Sequence, residues 1–411
     1  MTDPFPRLAI DALSSHRRLA LRLGVAALML LMVALPLAHV TALRSAGLML
    51  SALSAGFLYF SGSETQPRTW PLLWVFIIWL AAALLSLSSS AKAQPALIMI
   101  WDEVIKSALV FYVAYILARA NRHASTWFFP AAAALSLLAF VSIVSFVLAG
   151  TWLATGPVPA LGDYNTSAIT LLPLVFMPVF VHWRQQLGTK ALPIAILTAG
   201  LAMTAAVLSK SRSFWLVAAV MFAIAILVWS LKKQRQWRES IAWVGGGLCL
   251  FVIIAALVAR WRGVDLMYFK SRSVIYAPVI HHILQQVPIT GFGYGHESSQ
   301  EWYRQNMIEA GVLHAHNVVL SYVEQMGLPG LLAIFGIFGG LAARFFRRIS
   351  VCDPFRSSLA AIGLALVAGV FVKNNLDIFF ARHNLLLFFL CCGLVLGAAE
   401  AERPMQIDGS G

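Results

Sequence analysis

Apolar residues fall in long blocks along this chain, separated by short polar segments. A membrane-crossing helix needs about 20 apolar residues. On that measure the blocks near 19–40, 44–60, 70–90, 101–118, 125–149, 164–183, 191–208, 212–231, 240–259, 316–343, 357–373 and 381–398 predict about twelve spans. The second and fourth are the weakest. No internal repeat or low-complexity segment interrupts the series. The first apolar block is not followed by a small-residue cleavage site, so it is expected to stay as a span.

The charges between the blocks alternate. With the N-terminus inside, the cytoplasmic segments receive Arg17, Arg18 and Arg22; Arg68; Arg119 and Arg122; Arg184 and Lys190; Lys232, Lys233, Arg235 and Arg238; and Arg344, Arg347, Arg348 and Arg356. The short external loops hold few cations, with Arg44 in the first, Lys92 in the second and none in 150–163. This bias predicts that both termini are cytoplasmic. It also divides the chain into a bundle of nine spans (1–259), one large external loop (260–315), and three last spans with a short tail (316–411). Loops of that length in compact proteins usually serve function. The even-numbered spans begin outside, so spans eight and ten turn their partly positive helix N-termini outward.

Composition agrees with an all-α integral membrane protein. The 411 residues are 60% hydrophobic and 11% charged, against about 25% charged in soluble domains. The net charge of +13 sits mostly in the topology-setting loops and is no nucleic-acid signal. Cys249, Cys391 and Cys392 fall in spans and Cys352 in a cytoplasmic loop, so no disulfide is expected.

Against this background a few polar clusters need explaining. Ser209-Lys210-Ser211-Arg212 opens span eight on the external side, contrary to the charge rule. A snorkelling interfacial anchor is the structural alternative. Lys270-Ser271-Arg272-Ser-Val-Ile-Tyr276 precedes an amphipathic stretch, Ile275 to Val287, that could equally be a surface-lying loop helix. Pro288-Ile-Thr-Gly291-Phe-Gly293-Tyr-Gly295-His296 is not a dinucleotide fingerprint. It offers close backbone approach to a ligand or a plain turn. His314-Ala-His316-Asn317 enters span ten, which then breaks at Gly327-Leu-Pro-Gly330, about one span's depth below. A neutral imidazole is a good base near pH 7, and a helix N-terminus disfavours its charged form.

Metal binding is disfavoured by spacing. His314 and His316 lie two apart, His281 and His282 are adjacent, and no Asp-x-Asp pair exists. Asp102 and Glu103, with Lys106 one turn on, and Lys373, Asp377 and Arg382 are expected to form neutralised interfacial pairs. Asp163 and Asn165 open span six with no assigned role. Several cations and one base on the external face suit an anionic lipid-linked substrate with a diphosphate leaving group, which guanidinium forks stabilise without a metal.

The spacing His316-Asn317, nine residues, Gly327, two residues, Gly330 resembles the signature of the O-antigen ligases. Arg212 at a span start, Arg272 with Tyr276 in the large loop, and the glycines at 291, 293 and 295 are similar to the same family. The resemblance covers the topology of the whole chain. It implies a metal-independent, inverting glycosyltransferase of the GT-C type in a Gram-negative inner membrane. Such an enzyme takes glycan from undecaprenyl diphosphate to the lipid A–core oligosaccharide on the periplasmic face. It further implies His316 as general base, Arg212 and Arg272 on the donor diphosphate, and Asn317 and Tyr276 as substrate-binding. O-antigen polymerases and protein O-oligosaccharyltransferases share much of the motif. A secondary transporter or flippase is the alternative from another class, weakened by surface placement of the charges and the lack of related halves.

Overall fold

The computed structural model describes residues 5–35, 37, 39–61, 70–90, 92–120, 191–208, 270–295, 299–306, 314–351, 353–376, 380 and 382–401, with separate helical positions inside 133–148 and 217–228. Every element in them is helical. They are α1 (Phe5–Ala34), α2 (Thr41–Ser61), α3 (Leu73–Leu85), α4 (Ala93–Met99), α5 (Lys106–Ala120), α6 (Ala191–Leu208), α7 (Lys270–Gln286), α8 (Gln300–Asn306), α9 (Val318–Ile349), α10 (Pro354–Leu376) and α11 (Arg382–Glu400). A 3-10 turn over Ser86–Ser89 extends α3, and a π turn over Ile100–Ile105 joins α4 to α5. The fourth predicted span is thus part of a longer helical run. The predicted spans near 164–183 and 240–259 lie outside the described residues, as do Asp163, Asn165 and Asp377.

Among the described residues, four segments are long and apolar enough to cross a membrane: Thr41–Ser61, Val318–Ile349, Arg356–Asn375 and His383–Glu400. Two of them, α2 and α9, have greasy outward faces. On α2 the exposed side chains include Met49, Leu53, Phe57 and Phe60, and on α9 Leu328, Leu332 and Phe335. These recur every three to four residues, which makes one apolar stripe per helix. Water would not tolerate such stripes on a monomer, whereas lipid does. The opposite face of α9 is buried through Ala333, Ile334, Ile337, Leu341 and Phe345.

Small residues set the closest helix contacts. In α11, a Cβ on Gly393 would lie 2.4 Å from the Phe111 carbonyl oxygen, and one on Gly397 would lie 2.4 Å from that of Tyr115. Ala114 and Ala118 face them from α5. The register pairs 111 with 393 and 115 with 397, so α5 and α11 run parallel, with the small-xxx-small spacing that lets two backbones approach. Phe338 meets Phe371, and Phe345 lies against Gly363, so α9 and α10 run antiparallel.

The two ends of the bundle differ. One gathers the C-termini of α5, α9 and α11. There the buried Glu400 carboxylate takes Arg344 through Nε at 2.7 Å and Nη2 at 3.2 Å, and Arg348 at 3.3 Å. The Tyr115 hydroxyl donates to the same group and Arg119 stands 4.0 Å off. The other end gathers the N-termini of α2, α9 and α11. Here Arg44 donates to the Ala34 carbonyl at 2.9 Å and to that of Leu37, closing the C-terminus of α1, and reaches His383 of α11. Lys106 pairs with Asp102, as expected from the sequence.

Candidate functional site

The second end holds the motif residues. Helix α9 is broken at Gly327, whose φ of 63° and ψ of −148° suit glycine alone. The break lies within three turns of the helix start, well short of a span's depth. Its cause is local. Pro329 has no N–H to give, and the Leu328 N–H turns away to the Ile289 carbonyl at 3.0 Å. The carbonyls of Glu324 and Gln325 therefore lose their usual i+4 donors.

The glycine-rich loop supplies replacements. Phe292 N–H donates to Glu324 O and Gly293 N–H to Gln325 O, both at 3.0 Å. Gly295 N–H donates to the Gln325 side-chain oxygen at 3.0 Å. Contact is backbone on backbone, since a Cβ on Gly291 would lie 2.3 Å from the Gln325 carbonyl. Gly291-x-Gly293-x-Gly295 is therefore a docking turn that completes a broken helix. Two more ties fix it. The Tyr294 hydroxyl donates to the buried Glu103 of the π turn at 2.9 Å, and Thr290 and Ser89 share a hydrogen bond of 2.9 Å. Burial beside Glu103 pushes the Tyr294 phenol well above its ordinary value, so it stays a donor. Glu103 is thus anchored in the interior, away from the interfacial pairing expected of it.

His316 sits just before α9 with φ of 49°, a left-handed conformation that few side chains adopt. Asn317 is the N-cap: its Oδ1 accepts from Leu320 N–H at 3.1 Å. The turn at His316 brings the His314 and His316 rings to 4.0 Å between centroids. The helix-spacing argument that kept these two apart does not apply, because both precede the helix. Among the described residues no group of three or more His, Cys, Asp or Glu could hold a metal.

The large-loop helix α7 reaches this mouth. The Tyr276 hydroxyl donates its one hydrogen to the Asn375 carbonyl, at the end of α10, at 3.0 Å, with the His316 carbonyl as the longer arm of the same shared bond at 3.4 Å. Tyr276 thus bridges three elements. Arg272 lies one turn earlier in α7, and its side chain lies outside the described residues, as does the whole of Arg212. Lys373 is buried in the last turn of α10. The geometry brings Tyr276, His316 and Asn317 together.

Residues 194–335 match the family model described as O-antigen ligase. That segment is similar to the O-antigen ligase family. The matched segment runs from α6 through α7 and α8 to the middle of α9, so it contains the docking turn, Tyr276, His316, Asn317, Gly327 and Gly330. No curated protein matches the chain.

One further group at this end of the bundle was not evident in the sequence. His282 of α7 is sandwiched between Trp302, at 4.0 Å between ring centroids, and Phe292, at 5.3 Å. It faces the buried Glu324 of α9. Burial pushes the His282 imidazole below its ordinary value and the Tyr303 phenol above its own. In the sequence Glu324 is a lone acid inside an apolar run, and only that isolation marks it.

Proposed function

We propose that the protein transfers O-antigen glycan from undecaprenyl diphosphate to a hydroxyl of the lipid A–core oligosaccharide, on the periplasmic face of the inner membrane. The reaction is inverting and needs no metal. His316 accepts the proton of the attacking hydroxyl as the new glycosidic bond forms. The bond from the anomeric carbon to the diphosphate breaks on the opposite face, and Arg212 and Arg272 hold the departing charge. Tyr276 and Asn317 serve this centre by construction: one ties α7 to the His316 turn, the other caps the helix below it. The alternating charge pattern supports the sidedness, with the arginine end of the bundle cytoplasmic and the His316 end periplasmic.

One observation carries the reading. The segment similar to the O-antigen ligases contains both α7 and the His316 turn, and the Tyr276 hydroxyl joins them directly.

The test uses purified protein in lipid nanodiscs with undecaprenyl-diphosphate-linked glycan and excess chelator. Transfer to lipid A–core is expected. Extension of a second lipid-linked glycan instead would identify a polymerase, and strict dependence on a divalent cation would overturn the arginine-based chemistry.

A further inference from the structure

Helices α7 and α9 meet through more than Tyr276. Two turns further along α7, His282 stands against Glu324, both side chains buried. The His282 Nδ1 atom lies 3.0 Å from Gln286 Oε1, which can only accept, so Nδ1 carries the ring hydrogen. Nε2 then presents a lone pair, and it faces Glu324 Oε1 at 4.0 Å. Neither of these two atoms has a hydrogen-bond partner. The carboxyl also takes the Tyr303 hydroxyl on its other oxygen, at 3.1 Å, and the buried Ser299 hydroxyl. Two bare acceptors confronting each other in a dry interior repel, and each forgoes the bond that burial demands. A hydrogen on the carboxyl oxygen removes both penalties once the two side chains draw together by about 1 Å to hydrogen-bond length.

We propose that His282 and Glu324 close this gap over one shared hydrogen and act as positioning residues, latching α7 to α9 so that Tyr276 is held against the His316 turn. The proposal rests on the reading of that turn as the transfer site. Three features of the surroundings support a positioning role. Trp302 and Phe292 clamp the imidazole from both faces, leaving it little freedom to turn. The Glu324 carbonyl is itself held by Phe292 N–H, so the latch and the docking turn are one unit. Buried Ile275, Val279, Ala315 and Tyr303, the last bonded to Glu324, form one apolar cluster against which Tyr276 packs.

The sharing of one hydrogen makes a specific chemical forecast. In Glu324→Gln the amide offers its own hydrogen to Nε2 and its oxygen to Tyr303, so the latch closes as before. In Glu324→Ala it is lost. His282→Phe keeps the aromatic sandwich but removes the acceptor.

The experiment is hydrogen–deuterium exchange on full-length protein in nanodiscs, with donor KM and kcat measured on the same samples. Glu324→Ala and His282→Phe should speed exchange in α7 by about tenfold, the loss of one buried hydrogen bond, while leaving the α5–α11 pair unchanged. Donor KM should rise by a similar factor, with kcat and acceptor KM nearly unaltered. Glu324→Gln should match wild type in both. The latch is overturned if α7 exchange is unchanged in both His282→Phe and Glu324→Ala, or if Glu324→Gln behaves like Glu324→Ala, which would mean an ion pair. Exchange does not depend on catalysis. A wild-type protein that transfers no glycan would sink the ligase reading and still leave the latch decided by exchange alone.

Discussion

At the scale of single residues, the motif spacing has a mechanical explanation. Gly327 is required because a Cβ there would lie 1.8 Å from the Ile289 carbonyl, in a backbone conformation only glycine adopts comfortably. Gly327→Ala should therefore cost about 3 kcal/mol or more in stability, and thermal unfolding in detergent would show it. A variant as stable as wild type would mean that the docking turn does not hold the helix break. His316 and Asn317 were legible in the sequence, because a polar pair at the head of an apolar run has few bland explanations. The role of Asn317 was less so, since capping and ligand binding ask for the same side chain. Glu324 and His282 were not legible as a pair. They lie 42 positions apart, and no local pattern links an acid on one helix to an imidazole on another. Arg212 stands on sequence reasoning alone, as it lies outside the described residues.

At the scale of elements, a single carboxylate organises one end of the bundle. Glu400 sits at the last turn of α11 and gathers α5 and α9 through Arg119, Arg344 and Arg348. Removing it leaves three guanidinium groups without their common partner. Glu400→Ala should destabilise by about 2–3 kcal/mol, at the lower end of the range for a buried pair because Arg344 and Arg348 reach the surface. The Glu400→Gln variant, which keeps the shape, should lie between the two. An unchanged melting temperature for Glu400→Ala would show the cluster to be incidental. The apolar blocks foretold the helices at 41–61, 318–349, 354–376 and 382–400 within a few residues. They missed the joining of α4 to α5 through the π turn, because the polar Asp102 and Glu103 read as an interface between loop and span. Glu103 is instead drawn inward by Tyr294, a partner 191 residues away.

At the scale of the whole molecule, the structure has two chemically distinct poles. One is cation-rich and closed by Glu400. The other carries the broken helix, the docking turn and the His316 turn, with the large-loop helix α7 laid across it. Such a separation fits a catalyst that receives both lipid-linked partners at one membrane face. His316 is the group proposed to take the acceptor proton. Its most direct test is a single-turnover assay of glycan transfer from undecaprenyl diphosphate to lipid A–core, comparing wild type with His316→Ala in nanodiscs at saturating donor. The account predicts a loss of at least about a hundredfold in rate, the low end for a general base, with unaltered folding and donor binding. Transfer by His316→Ala at the wild-type rate would contradict it.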